Sequence, residues 1–248
     1  MCLRVEIPYR VESRLLFSRI AERPWAVFLD SGYPHTDVGR YDILAADPYL
    51  TLTTRDNITE IRQGDCITLR PDDPFTILRE MLGPALKQQS DLPFCGGAIG
   101  WFSYDLAWRI EKLPESLKSR EQLPDMAIGL YDWAVVVDHE QQRSWLVGDG
   151  RDPQTRQRWW SLLRLFCTSS KTAKNRTFQI TGPIQTNMDR ATYATAFDSI
   201  KTYIKEGDCY QVNFAQRFSA SAEGDGWTAY QDLREMKPAP FSAYSKPP

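Results

Sequence analysis

The sequence is poor in the residues from which many active sites are built. It contains two histidines, His35 and His139. A multi-histidine metal site and an H-E-x-x-H helix are therefore excluded, and a Ser-His-Asp triad would have to use one of these two. His139 follows a valine-rich run within Asp138-His139-Glu140-Gln141-Gln142, which reads as a solvated turn, so chemistry built on histidine is not expected. The five cysteines are an odd number with no C-x-x-C pair, the pattern of reduced, unpaired thiols. Long hydrophobic runs are missing as well. The longest, Trp25 to Leu29 and Trp133 to Val137, have five residues, where a membrane helix needs about 20. The first residues carry Arg4, Glu6, Arg10, Glu12 and Arg14 and no apolar signal-peptide core, so a cytoplasmic location is expected. Nor does one sign of charge dominate: 30 Lys and Arg against 32 Asp and Glu leave a net charge of −2, which excludes binding to nucleic acid by a basic surface.

What is present is an ordinary globular composition over 248 residues, 42% hydrophobic and 25% charged, enough for one large domain or two modest ones. Trp25 to Leu29 and Tyr41 to Thr54 are rich in β-branched and aromatic residues, with turn chemistry in Asp30-Ser31-Gly32-Tyr33-Pro34 between them, and read as neighbouring strands. Pro74 to Leu86 has apolar residues at helical spacing behind an Asp72-Asp73 cap. The stretch from 127 to 147 reads as a hairpin. Its first arm, Ala127 to Val137, is too continuously apolar for a solvated strand and is expected in the middle of a sheet covered on both faces. A helix is expected between Asp152 and Phe166.

From 168 to 187 the composition turns to Ser, Thr, Lys, Asn and Gln, a linker with one edge strand at Thr177 to Thr181. Asp189 then caps a helix whose Tyr193, Phe197, Ile200, Tyr203 and Ile204 share one face, and Gly207 ends it. Cys209 to Phe218 alternates like a strand with one polar side. A helix over about Gly226 to Met236 and a strand starting at Phe241 complete the reading.

Two clusters invite a functional reading. Gly96-Gly97-Ala98-Ile99-Gly100 lacks the G-K-[ST] ending of a phosphate loop and does not fit G-x-G-x-x-G, so close backbone packing in an aromatic strand is the better interpretation. Asp30-Ser31-Gly32-Tyr33 and Gly39-Arg40-Tyr41-Asp42 place a hydroxyl, a guanidinium and aromatic rings near one strand turn.

Three longer motifs go further: Leu92-Pro93-Phe94-Cys95-Gly96-Gly97-Ala98-Ile99-Gly100-Trp101-Phe102-Ser103-Tyr104-Asp105; Leu123-Pro124-Asp125-Met126-Ala127 with Tyr131-Asp132-Trp133; and Gly207-Asp208-Cys209-Tyr210-Gln211-Val212-Asn213. With Ser31-Gly32-Tyr33 and Pro240-Phe241-Ser242, the sequence resembles the chorismate-utilising enzymes, and among them the aminodeoxychorismate synthase component I branch more than anthranilate synthase component I. The resemblance implies an α+β fold, an anthranilate synthase component I-like β-sandwich with flanking helices. It implies an N-terminal domain over 1–167, a linker over 168–187 and the start of a chorismate-binding domain over 188–248. It further implies amination of chorismate with ammonia from a glutamine amidotransferase subunit, with magnesium at the substrate carboxylate. In that chemistry a lysine adds covalently to the ring and a carboxylate assists loss of the hydroxyl. The P-I-K-G-T lysine, the S-P-E glutamate and the magnesium-binding glutamates of the family lie beyond the match, which fails after about Tyr244, so a catalytically incomplete N-terminal part is expected. What the resemblance does place here is a tryptophan pocket, at Leu29, Ser31, Val38, Gly39, Arg40, Tyr41, Pro240, Phe241 and Ser242. Ser31 and backbone groups would hold the ammonium and carboxylate, and Leu29, Tyr41, Pro240 and Phe241 would enclose the indole.

Overall fold

A computed structural model of the chain describes residues 3–36, 38–84, 91–111, 123–168 and 176–246. The chain divides into two compact units, residues 1–173 with 233–248, and residues 174–232.

In the first unit the elements are β1 (Leu3–Ile7), α1 (Arg14–Phe17), β2 (Val27–Asp30), β3 (Tyr41–Ala45), β4 (Leu50–Arg55), β5 (Ile58–Gln63), β6 (Cys66–Arg70), α2 (Pro74–Leu82), β7 (Gly97–Phe102), a 3-10 helix (Tyr104–Arg109), β8 (Met126–Tyr131), β9 (Trp133–Asp138), β10 (Arg143–Gly148) and α3 (Pro153–Cys167). In the second lie β11 (Phe178–Ile180), β12 (Gln185–Thr186), α4 (Arg190–Glu206), β13 (Phe218–Ser219) and β14 (Ala222–Gly224). The helix α5 (Gly226–Met236) follows, and β15 (Ser242–Ser245) returns to the first unit.

The first unit is layered, with two antiparallel sheets between helices. One sheet has the order β1-β10-β9-β3-β2-β15, the other β6-β5-β4-β8-β7. Val27, Ala45, Ala134, Val136 and Val147 of the first meet Ile99, Ala127 and Tyr131 of the second in one buried cluster. On the outer face of the five-stranded sheet, Met126, Ile128 and Leu130 pack with Leu52 and Ile61 against Ile77 of α2 and Leu106 of the 3-10 helix. On the outer face of the six-stranded sheet Phe17 of α1 stacks on Phe28 at 5.3 Å, and Trp133 meets Phe166 of α3 at 6.2 Å. Asp73 and Asp152 cap α2 and α3, accepting from Thr76 N and Gln154 N. The helix expected to reach Leu86 ends at Leu82; residues 85–90 lie outside the described ones.

The run Ala127 to Val137 is not one strand. It breaks at Asp132 into β8 and β9, which belong to different sheets. Every residue of both strands is buried, so the expected coverage on two faces is present in each half. Asp132 makes the corner: its buried carboxylate accepts from Arg151 N and Asp152 N at 2.8 and 3.1 Å. Such a corner between sheets cannot be read from an apolar run, because both halves carry the same residue types. The glycine motif is a matter of packing: a Cβ at Gly100 would lie 1.9 Å from the Ala127 carbonyl oxygen on the neighbouring strand.

In the second unit β11 pairs with β14 and β12 with β13. Asp189 caps α4 by accepting from Thr192 N, and Gly207 ends it in the left-handed conformation. Cys209 to Arg217 is not the strand its alternation suggested. Only Phe218–Ser219 joins a ladder, because alternation sets which side chains share a face but supplies no backbone partner. The strand expected at Phe241 is β15, the outer strand beside β2, with Ser242 opposite Asp30 and Ala243 opposite Leu29.

Candidate functional site

Antiparallel pairing of β2 with both β3 and β15 brings three separated segments to one sheet corner. They line a cavity of about 450 Å3 formed by Leu29, Asp30, Ser31, Val38, Gly39, Arg40, Tyr41, Pro240, Phe241, Ser242 and Ala243. All nine residues expected to form a pocket are therefore neighbours; Asp30, read only as part of the strand-turn cluster, and Ala243, not singled out, join them through the register of β2 and β15.

The walls differ from expectation in three ways. The ring of Phe241 is 95% exposed on a backbone with φ of 66°, and Val38 is 78% exposed, so neither encloses a ligand from above as the structure stands. The Arg40 guanidinium is already engaged: Nη2 contacts Asp138 at 2.9 Å, Nη1 contacts Glu140 at 2.6 Å, and the group lies 4.7 Å over the Tyr41 ring. Burial pushes the Asp138 carboxyl up, but Arg40 and the Gln141 amide outweigh it and hold it below the ordinary aspartate range. The backbone amides at the first turn are also taken. Ser31 N donates to Asp42 Oδ1 at 2.7 Å and Gly32 N to Asp30 Oδ1 at 2.8 Å. The Ser31 hydroxyl remains, buried and with no hydrogen-bond partner among the described residues. Gly39 lies tight against this serine: a Cβ there would sit 2.3 Å from the Ser31 carbonyl oxygen.

Beneath the cavity is a polar network that the sequence concealed. His139, read as a solvated turn residue, is 4% exposed. Its backbone N donates to Arg40 O at 2.9 Å, which carries the end of β9 on past β3 and drives the ring inward. Nε2 lies 2.8 Å from Asp42 Oδ2 and Nδ1 lies 3.1 Å from the Tyr9 hydroxyl. Tyr33 stacks on the ring at 4.2 Å. Ser13 Oγ also donates to Asp42. Burial raises the Asp42 carboxyl, but bonds from His139, Ser13 and Ser31 N prevail and hold it below the ordinary aspartate range. Ser, His and Asp thus meet here without forming a catalytic triad. The hydroxyl rests on the carboxylate, and both imidazole nitrogens are occupied, leaving no base for a nucleophile.

A buried ion pair closes the same corner. Arg234, at the end of α5, donates Nε to Asp30 Oδ2 at 2.6 Å and also bonds the Tyr33 carbonyl. Both side chains are 2% exposed or less. Burial lowers the basicity of this guanidinium, and Asp30 restores it and more.

Among the described residues no group of three or more His, Cys, Asp or Glu could hold a metal ion. Among the described residues, too, no helix is long and apolar enough to cross a membrane.

Comparison with known proteins places this geometry in a family. The chain is 39% identical over 244 residues to aminodeoxychorismate synthase component 1 of Klebsiella aerogenes, which covers 97% of this chain and 52% of that protein. It is 40% identical over 231 residues to the protein of the same name from Escherichia coli (strain K12), covering 92% and 49%. The chain thus spans about half the length of these curated relatives. Anthranilate synthase component I from Streptococcus pneumoniae TIGR4 shares the fold, with a TM-score of 0.68 at 22% identity over 82% of this chain and 47% of that one. The model of the chorismate binding enzyme family matches residues 26–248, nearly the whole chain, which therefore belongs to that family.

Proposed function

We propose that this chain is the N-terminal part of an aminodeoxychorismate synthase large subunit, the enzyme that aminates chorismate to 4-amino-4-deoxychorismate for para-aminobenzoate and folate synthesis. The observation that carries this reading is identity near 40% across more than nine-tenths of the chain to relatives bearing that name. In this reading residues 1–167 form the N-terminal domain, 168–187 the linker and 188–248 the opening of the chorismate-binding domain. The enzyme works in the cytoplasm with a glutamine amidotransferase subunit and magnesium. Residues 1–248 contain neither P-I-K-G-T nor S-P-E, so these residues alone leave chorismate unchanged. Incubating them, purified, with chorismate, ammonia and magnesium tests this: no consumption of chorismate is expected, and turnover overturns the incompleteness. A protein restored to the length of its relatives separates the runner-up, anthranilate synthase. Fluorescent anthranilate would appear directly, whereas aminodeoxychorismate yields para-aminobenzoate only after a lyase is added.

The cavity supports a second element of the reading. It takes tryptophan, with the indole against Leu29, Tyr41 and Pro240 and the Ser31 hydroxyl as polar handle. A wall that is largely apolar with one unpartnered polar atom suits an aromatic ligand. The role is regulatory or structural, and it would persist if the chain acted as a binding module without catalysis. Calorimetry on the folded chain tests it: saturable binding is expected, and none would reduce the corner to a packing cluster.

A further inference from the structure

We propose that His139 is the positioning residue of the cavity, fixing the backbone of Ser31 through Asp42. This rests on the reading of the cavity as a ligand site. Three observations carry it. First, the Asp42 carboxylate divides its work: Oδ1 takes the Ser31 amide at 2.7 Å while Oδ2 takes His139 Nε2 at 2.8 Å and Ser13. Removing the imidazole leaves a fully buried carboxylate with one strong donor fewer, and it can then turn away from Ser31. Second, the ring has one available orientation, since the Tyr9 hydroxyl holds Nδ1 and Tyr33 covers the face. Third, the 138–140 turn grips the adjoining Arg40 segment. His139 N bonds Arg40 O, and Asp138 and Glu140 hold the Arg40 guanidinium. One turn therefore sets the spacing between the Ser31 side and the Arg40 side of the cavity. Gly39 has no tolerance for a change in that spacing, being in close contact with the Ser31 carbonyl.

A positioning role and a bulk packing role make different predictions. In the full chain, His139→Ala should expose the Ser31 amide to hydrogen exchange and weaken binding of tryptophan, the probe, about tenfold, the factor expected for loss of one bond to a charged group. His139→Gln keeps a side-chain N–H for Asp42 but loses the stack with Tyr33. It should restore Ser31 protection and affinity while its melting temperature stays lowered. The proposal is overturned if Ser31 protection is unchanged in His139→Ala, or if affinity follows melting temperature across the three proteins regardless of the glutamine. The exchange measurement needs no ligand. Should the wild-type chain bind no tryptophan while exchange responds as expected, the ligand reading of the cavity fails and the positioning of Ser31 by His139 stands.

Discussion

The strands β8 and β9 and the helix α4 are built by opposite logics. All twelve residues of the two strands are buried, and none has a local signal beyond an apolar run. The helix has cap, stop and an apolar face in full, yet among its residues none is buried: Tyr193, Phe197, Tyr203 and Ile204 are 37% to 51% exposed. Backbone hydrogen bonds and caps suffice to define where a helix starts and stops. Burial requires another surface, and although the Phe214 ring lies 4.8 Å from that of Tyr193, the face of α4 stays partly exposed.

The sharpest way to break the comparison is to truncate one residue in each region. Trp133→Ala empties a fully buried site and should cost about 3–5 kcal/mol in urea denaturation, whereas Phe197→Ala on α4 should stay within about 0.5 kcal/mol. Equal costs would mean that α4 is packed more firmly than its exposure indicates. Arg234→Met should approach the Trp133 cost, about 3–5 kcal/mol, because it removes the counter-charge of the buried Asp30 carboxylate. A neutral result would show that the ion pair contributes little beyond the hydrophobic contacts around it. Gly39→Ala, by overpacking against Ser31, should cost about 1–3 kcal/mol and abolish tryptophan binding measured by calorimetry.

Acid provides a gentler probe of the first unit. Asp42 and Asp138 both titrate below their ordinary range in the folded chain, so the stability they lend is present at neutral pH. It is lost as pH falls through the depressed folded values. The melting temperature should hold level near neutrality and drop once the pH passes below the ordinary aspartate range, with a shallower drop in Asp42→Asn. An identical drop in that variant would assign the acid sensitivity elsewhere. The smallest effect concerns α4 alone: Phe197→Glu should reduce binding of a hydrophobic dye without moving the melt.

Legibility followed the range of the forces involved. The caps at Asp73, Asp152 and Asp189 and the glycine after α4 were readable because they act within three or four residues. Ser31, Gly39, Arg40 and Tyr41 were readable as one cluster at a strand turn, but their meeting with Pro240, Phe241 and Ser242 only through resemblance, since the segments lie far apart in the chain and no periodicity connects them. His139 was misread because a turn sequence describes the backbone, while the fate of its ring depended on a carboxylate 97 positions away. The alternation of Cys209 to Arg217 was misread for the complementary reason: the pattern was there and the partner strand was not.

By itself, then, the sequence determined where α2, α3 and α4 begin, which strands are apolar, and the family. Those features depend on local hydrogen bonding, side-chain shape and motif. Only the tertiary structure decided that one apolar run serves two sheets, that β15 closes the corner beside β2, and that a histidine, two aspartates and an arginine meet beneath a cavity. Each of these depends on desolvating polar groups against partners distant in the chain, and the low dielectric interior that makes such pairing obligatory exists only once the sheets have packed.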